Sequence, residues 1–172
     1  MLKLGLGIQG CTKDCAKFFD PNMYQRLSAL LRIGAWFATG LHFVGIIQMG
    51  TDSEGERLMA QHLLVGPEVR GIYRFRQLEV WSGLFIGYVH HQTKMWDMGT
   101  PQKSTLTGFA LGWGLGLDYY FTRIVALGIN LWIYKPVYRK LCINDECTSA
   151  ISNKGVGIHW SVGPTLTIYL GR

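Results

Sequence analysis

Charge is scarce in this chain. Only 16% of its 172 residues are Asp, Glu, Lys or Arg, against roughly 25% in ordinary soluble domains. A surface that must dissolve in water needs more, so the composition points away from a soluble domain. The net charge of +6 suits a partner of negative charge such as anionic lipid. No basic run or basic-aromatic module accompanies it, so nucleic acid is not expected as a partner. Glycine-rich spacings lie inside alternating segments rather than between a strand and a helix, and so fail as nucleotide loops. The sequence also lacks a charged n-region followed by a long apolar core. The chain reads as a mature form with an added start methionine.

Cysteine is sparse as well. The four form two close pairs, Cys11/Cys15 and Cys142/Cys147, and neither has the CxxC spacing of common zinc or thioredoxin sites. Both pairs lie in polar segments, which suggests disulfides made in an oxidising compartment. Each pair can close its own short ring, or the two can cross-link. No metal and no cofactor is expected. His90, His91 and Asp97 read as solvated loop residues. One stretch, Ile33 to Gly50, is long enough for a membrane helix and holds a single ionisable residue, His42. Gly34, Gly40, Gly45 and Gly50 interrupt it, and the period of two on either side argues for strands.

Glycine and aromatics are plentiful: 22 Gly, six Trp and eight Tyr. Their arrangement is clearest in Leu106 to Phe121, LTGFALGWGLGLDYYF. Phe109, Leu111, Trp113, Leu115, Leu117 and Tyr119 fall on one face. Gly108, Ala110, Gly112, Gly114, Gly116, Asp118 and Tyr120 fall on the other. A period of two is a strand. The bulky apolar face is continuous, while its partner is mostly glycine, as a narrow barrel requires where opposite strands must share the interior. A soluble ligand-binding barrel needs the reverse polarity. On this reading a charge at Trp113 damages insertion, whereas Gly114→Ala is mild.

Seven further segments alternate in the same way, near residues 2–9, 24–37, 41–49, 62–75, 78–89, 125–134 and 156–170. The connections alternate too. Long polar loops at 11–23, 51–60, 91–105 and 138–155 alternate with short turns at 38–40, 76–77 and 122–123. Antiparallel neighbours then gather the short turns and both termini at one end, and the long loops and cysteines at the other. The fold class is all-β: an eight-stranded antiparallel up-and-down transmembrane β-barrel, one domain over 1–172, with strands long enough to cross a bilayer when tilted.

With stretches such as VGPEVRGIYRF and GFALGWGLGLDYYF, the whole chain resembles the small eight-stranded bacterial outer-membrane barrels of the OmpA-like type. The resemblance implies an outer-membrane location, turns facing the periplasm and loops facing outward. It also implies a partnership with the bilayer and its lipopolysaccharide. The chain departs from that family at Leu170-Gly171-Arg172, where an aromatic end is usual.

The alternation assigns an inward polar face of Lys3, Arg26, Arg32, His42, Glu68, Arg70, Arg74, Glu79, Asp118, Asn130 and His159. Buried charges must pair. Arg74 and Glu79 flank a turn and are expected to meet. Glu68 and Arg32 are expected to meet across the lumen. Asp118 and Asn130 lie on adjacent strands, with Asp118 expected among the arginines. Trp36, Trp81, Phe85, Tyr120, Trp132 and Tyr134 add inward bulk. The resulting reading is a plugged lumen in a membrane anchor, integrity or surface-interaction protein, with the extracellular loops or periplasmic turns as the place for a protein partner. The alternatives are a narrow pore gated by Arg32, Glu68, Arg70 and Asp118, and a lipid A-modifying enzyme using His159 and Ser161. No carboxylate is evident at their depth, so no enzymatic activity is expected. Phe18, Phe19 and Trp96 read as interfacial aromatics.

Overall fold

The structure, a computed structural model, describes residues 1–12, 22–51, 57–97, 100–144, 146–149, 153 and 156–170. Nine strands follow one another: β1 (Leu2–Cys11), β2 (Asn22–Ile33), β3 (Phe37–Thr51), β4 (Arg57–Phe75), β5 (Leu78–Asp97), β6 (Thr100–Tyr120), β7 (Val125–Ile143), β8 (Glu146–Thr148) and β9 (His159–Ile168). All pair antiparallel. β1 to β7 run in order, β7 pairs β9, and β9 pairs β1 from Leu2↔Ile168 to Cys11↔His159, closing a ring of eight. β8 stands outside the ring as a short return along β7. No described helix is long and apolar enough to cross a membrane, and residues 33–50 form a turn and most of β3 rather than a helix.

The two faces separate as the period of two requires. Leu4, Leu6, Leu31, Leu41, Phe43, Leu84, Ile86, Leu111, Trp113 and Leu115 are exposed outward, whereas Lys3, Arg26, His42, Glu68, Arg70, Asp118 and Asn130 are buried inside. An apolar outer belt around a polar interior is the arrangement of a barrel in lipid. Polar atoms on the belt are tied up locally: Trp113 Nε1 donates to Ser82 Oγ at 3.1 Å. At the turn end Tyr73, Phe75, Tyr119 and Phe121 mark one boundary of the belt, and Tyr88 stands toward the other.

The strands extend further than the sequence patterns suggest. β5 and β6 have 20 and 21 residues, while β1 and β9 have ten each. The expected third long loop, 91–105, is instead the continuation of β5 and β6, paired up to Asp97↔Thr100. Polar side chains there do not prevent a ladder, because above the belt both faces meet water or mouth residues. The ladder slips once, between Thr107/Gly108 on β6 and the Tyr138–Lys140 stretch of β7. The first short turn also lies earlier in the chain than the alternation suggests. It comprises Gly34, Ala35 and Trp36, not 38–40, with Ile33 paired to Phe37. Gly34 sits at φ 67°, a left-handed conformation that glycine adopts without penalty. Trp36, expected inside, is therefore on the turn and stacked on Tyr73 with centroids 5.7 Å apart.

Cys142 on β7 and Cys147 on β8 are register partners joined by a disulfide. Cross-linking between the two pairs is thereby excluded. Cys11 is also disulfide-bonded. Cys15, Phe18 and Phe19 lie outside the described residues, as do the side chains of Trp96 and Asp97.

Trp113 lies midway along the belt segment of β6, opposite Leu84. Trp113→Lys should destabilise the barrel by about 2–4 kcal/mol, the cost of a base on the lipid face at the bilayer centre. Urea unfolding in lipid vesicles, followed by fluorescence, measures this. Lys103→Gln, beyond the belt, should leave the midpoint unchanged.

Candidate functional site: the filled lumen

The inward side chains form stacked layers. Nearest the turns, Arg32 Nη1 donates to Glu79 Oε2 and to the Tyr169 hydroxyl, both at 2.8 Å, and its Nη2 donates to the Ala35 carbonyl. Tyr120 donates to Tyr169 at 2.7 Å. The Arg74 guanidinium lies 3.9 Å from the centre of the Tyr120 ring. The expected Arg74–Glu79 ion pair is absent: the residues are register partners, but Arg32 takes the carboxylate. The expected Glu68–Arg32 contact is absent for the same reason.

One layer deeper, Lys3 and Asp118 form a fully buried ion pair. Thr165 Oγ1 donates to the same carboxylate at 3.3 Å, and the Lys3 ammonium lies 4.4 Å from the Trp81 ring centre. Asp118 thus pairs with a lysine brought by β1, not with an arginine. Asn130 belongs to a different contact set. It accepts from Arg26 and, at 3.3 Å, from Tyr24, and it donates to the Gly163 carbonyl at 2.8 Å.

At the centre, Glu68 accepts from Arg70 on its own strand and meets His42 Nδ1 at 2.8 Å. The other nitrogen of His42 is 2.9 Å from the Tyr134 hydroxyl. The Arg70 guanidinium carbon lies over Trp81, 3.9 Å from the ring centre. Trp81, Trp132 and Tyr134 are at most 1% exposed and block the passage. Their rings occupy the space left by the glycine stripe of β6. A Cβ on Gly112 would lie 2.7 Å from the Tyr134 ring, one on Gly114 2.4 Å from Trp132, and one on Gly116 2.3 Å from Trp81. Gly114→Ala is therefore not the mild change the alternation suggests, because neither the rigid ring nor the backbone can yield cheaply.

Toward the loops, His62 on β4 and His91 on β5 face each other with their Nδ1 atoms 3.2 Å apart, and the His159 ring lies tilted against His62 with centroids 4.8 Å apart. His91 is an inward strand residue rather than a solvated loop residue. The signal was present: the inward parity of Val89 continues through His91. His159 Nδ1 is 3.4 Å from Gln9 Nε2. No group of three ligating side chains among the described residues is arranged to hold a metal ion.

Closed ring, apolar outer belt and polar, filled lumen define a small eight-stranded β-barrel with the architecture of bacterial outer-membrane barrels. No protein-family model matches the chain, and no curated protein matches its sequence. Solved structures are similar in fold. Neisserial surface protein A matches with a TM-score of 0.65 at 11% identity, covering 98% of this chain and 96% of that one. Ail, the attachment invasion locus protein of Yersinia pestis, solved in complex with the heparin analogue sucrose octasulfate, matches with the same score, identity and coverage. Identity this low establishes the architecture alone.

Gly114→Ala and Gly116→Ala should each cost about 1–3 kcal/mol by overpacking, comparable to a charge on the lipid face. Gly45→Ala, whose Cβ would meet only the Phe43 ring at 3.5 Å, should cost little in the same unfolding assay. Glu68→Leu leaves Arg70 buried without its carboxylate and should cost about 3–5 kcal/mol. The double change Glu68→Leu with Arg70→Met should recover much of that loss, and a double mutant cycle in vesicles reads the difference.

Proposed function

We propose that the barrel is a sealed outer-membrane scaffold that acts through its surface rather than by conducting solutes. The observation that carries this reading is the central plug. Arg70, Trp81, Trp132 and Tyr134 are all buried, and Arg70 is fixed by Glu68 beneath the His42–Tyr134 contact. Opening a water path requires moving a buried ion pair and two tryptophans together. A gated pore built on Arg32, Glu68, Arg70 and Asp118 is disfavoured because those residues belong to three separate layers, each with its own partners. A catalytic role for His159 and Ser161 is disfavoured because the described partner of His159 is Gln9, not a carboxylate.

The surface in question is the tall side of the barrel, where β5, β6 and β7 run on beyond the belt. Lys103, Arg139 and Lys140 are exposed there, with Lys94 directly opposite Lys103. Such a basic sheet suits sulfated or phosphorylated glycans, including the lipopolysaccharide that surrounds an outer-membrane barrel. The sulfated sugar bound by the similar Ail structure supports the same ligand chemistry.

In planar bilayers the protein should give no discrete conductance steps; steps would overturn the sealed-lumen reading. Binding to heparin resin or lipopolysaccharide should weaken markedly in the triple variant Lys103→Gln, Arg139→Gln, Lys140→Gln, at about 1 kcal/mol per charge near an anionic surface. Unchanged elution at rising salt would overturn the glycan reading.

A further inference from the structure

The turn end holds a feature that neither the plug nor the basic sheet uses. A cavity of ≈ 340 Å³ is lined by Arg32, Ala35, Trp36, Arg74 and Arg76. The three guanidinium groups differ in state. Arg32 is fixed by Glu79, Tyr169 and the Ala35 carbonyl, so it forms a rigid wall. Arg74 stacks on Tyr120, and its Nε donates to the Arg76 carbonyl at 3.3 Å. Arg76, held at φ 54° by the tight turn, lies 5.4 Å from the Phe75 ring. Neither Arg74 nor Arg76 has a carboxylate partner among the described residues. The nearest acids in register, Glu79 and Asp118, are inside the barrel and already paired. Two exposed cations therefore face a cavity with nothing to neutralise them.

The surroundings of the cavity are aromatic. Trp36, Tyr73 and Phe75 are 64%, 56% and 58% exposed on its outer side, and Trp36 stacks on Tyr73. Aromatic rings of this kind sit at the boundary between bilayer and water. The cavity thus joins a cationic head to an apolar flank at the depth of lipid headgroups. Planar guanidinium forks match phosphate oxygens in pairs.

We propose that this cavity binds the phosphate of an anionic phospholipid in the leaflet at the turn end. Arg74 and Arg76 contact the phosphate, Arg32 forms the wall, and the acyl chains lie against Trp36, Tyr73 and Phe75. A free phosphate would gain little here, because exposed charges are screened in water and the aromatic flank would go unused. A lipid is already confined at the right depth, which raises its effective concentration. The site is separate from the basic sheet at the opposite end of the barrel.

The test is to reconstitute the barrel with equal amounts of phosphatidylglycerol and phosphatidylcholine, extract it in mild detergent, and count retained lipids by native mass spectrometry. The parent protein should retain phosphatidylglycerol several-fold over phosphatidylcholine. Arg74→Gln with Arg76→Gln should bring the ratio close to one, and Arg123→Gln, at an exposed cation of another turn that does not line the cavity, should leave it as in the parent. Folding of each variant is checked by heat-dependent gel mobility. If the double variant does not fold, Arg76→Gln alone, whose ring contact is limited to Phe75, should still lower the ratio. Equal retention of both lipids by the parent overturns the proposal, as does an unchanged ratio in the folded turn-end variant. Displacement of the lipid by an equal concentration of glycerol phosphate also overturns it, by showing a site for soluble phosphate.

Discussion

The pairing of β1 with β9 is the constraint on which everything else rests. Backbone groups in hydrocarbon have no water to bond, so an open sheet edge there costs several kcal/mol per unpaired group. The ring removes both edges. Once it closes, the period of two leaves no choice of facing: one set of side chains meets lipid and the other is enclosed. The lipid set is simple, because any large apolar residue serves. The enclosed set is demanding, because eight strands leave an interior only about as wide as the side chains that fill it.

That narrow interior explains the glycine stripe of β6. Trp81 on β5 and Trp132 and Tyr134 on β7 turn toward the β6 wall, and only glycines there give them room. The rings in turn supply flat surfaces for Lys3 and Arg70, so aromatic bulk and buried charge occupy the same layers. The cations are distributed to match the carboxylates: Arg32 with Glu79, Lys3 with Asp118, Arg70 with Glu68. Arg26 is held instead by the neutral Asn130. Each carboxylate is satisfied in its own layer, which makes the plug a stack of local contacts rather than one continuous gate.

The two ends of the barrel carry different chemistry. At the loop end β4 to β7 rise beyond the belt, expose lysines and an arginine, and bury a histidine cluster at the mouth. At the turn end the chain is compact, and its arginines lie among boundary aromatics.

By itself the sequence determined the fold class, the face of nearly every strand residue and the membrane setting, because alternation is a local property of the backbone. Gly34 even marked the first turn, although the apolar parity running on to Phe37 concealed it. Partner choice inside the lumen was decided by tertiary structure alone. Alternation says that Arg32, Glu68, Glu79 and Asp118 point inward, but not where each stands around the circumference, and the tilt of the strands moves neighbours to different depths. Lys3 reaches Asp118, and Arg32 reaches Glu79, only because β1 and β2 curve round to face β5 and β6. Strand length was equally hidden. Above the belt a polar ladder and a polar loop have the same composition, and only pairing with a neighbour distinguishes them.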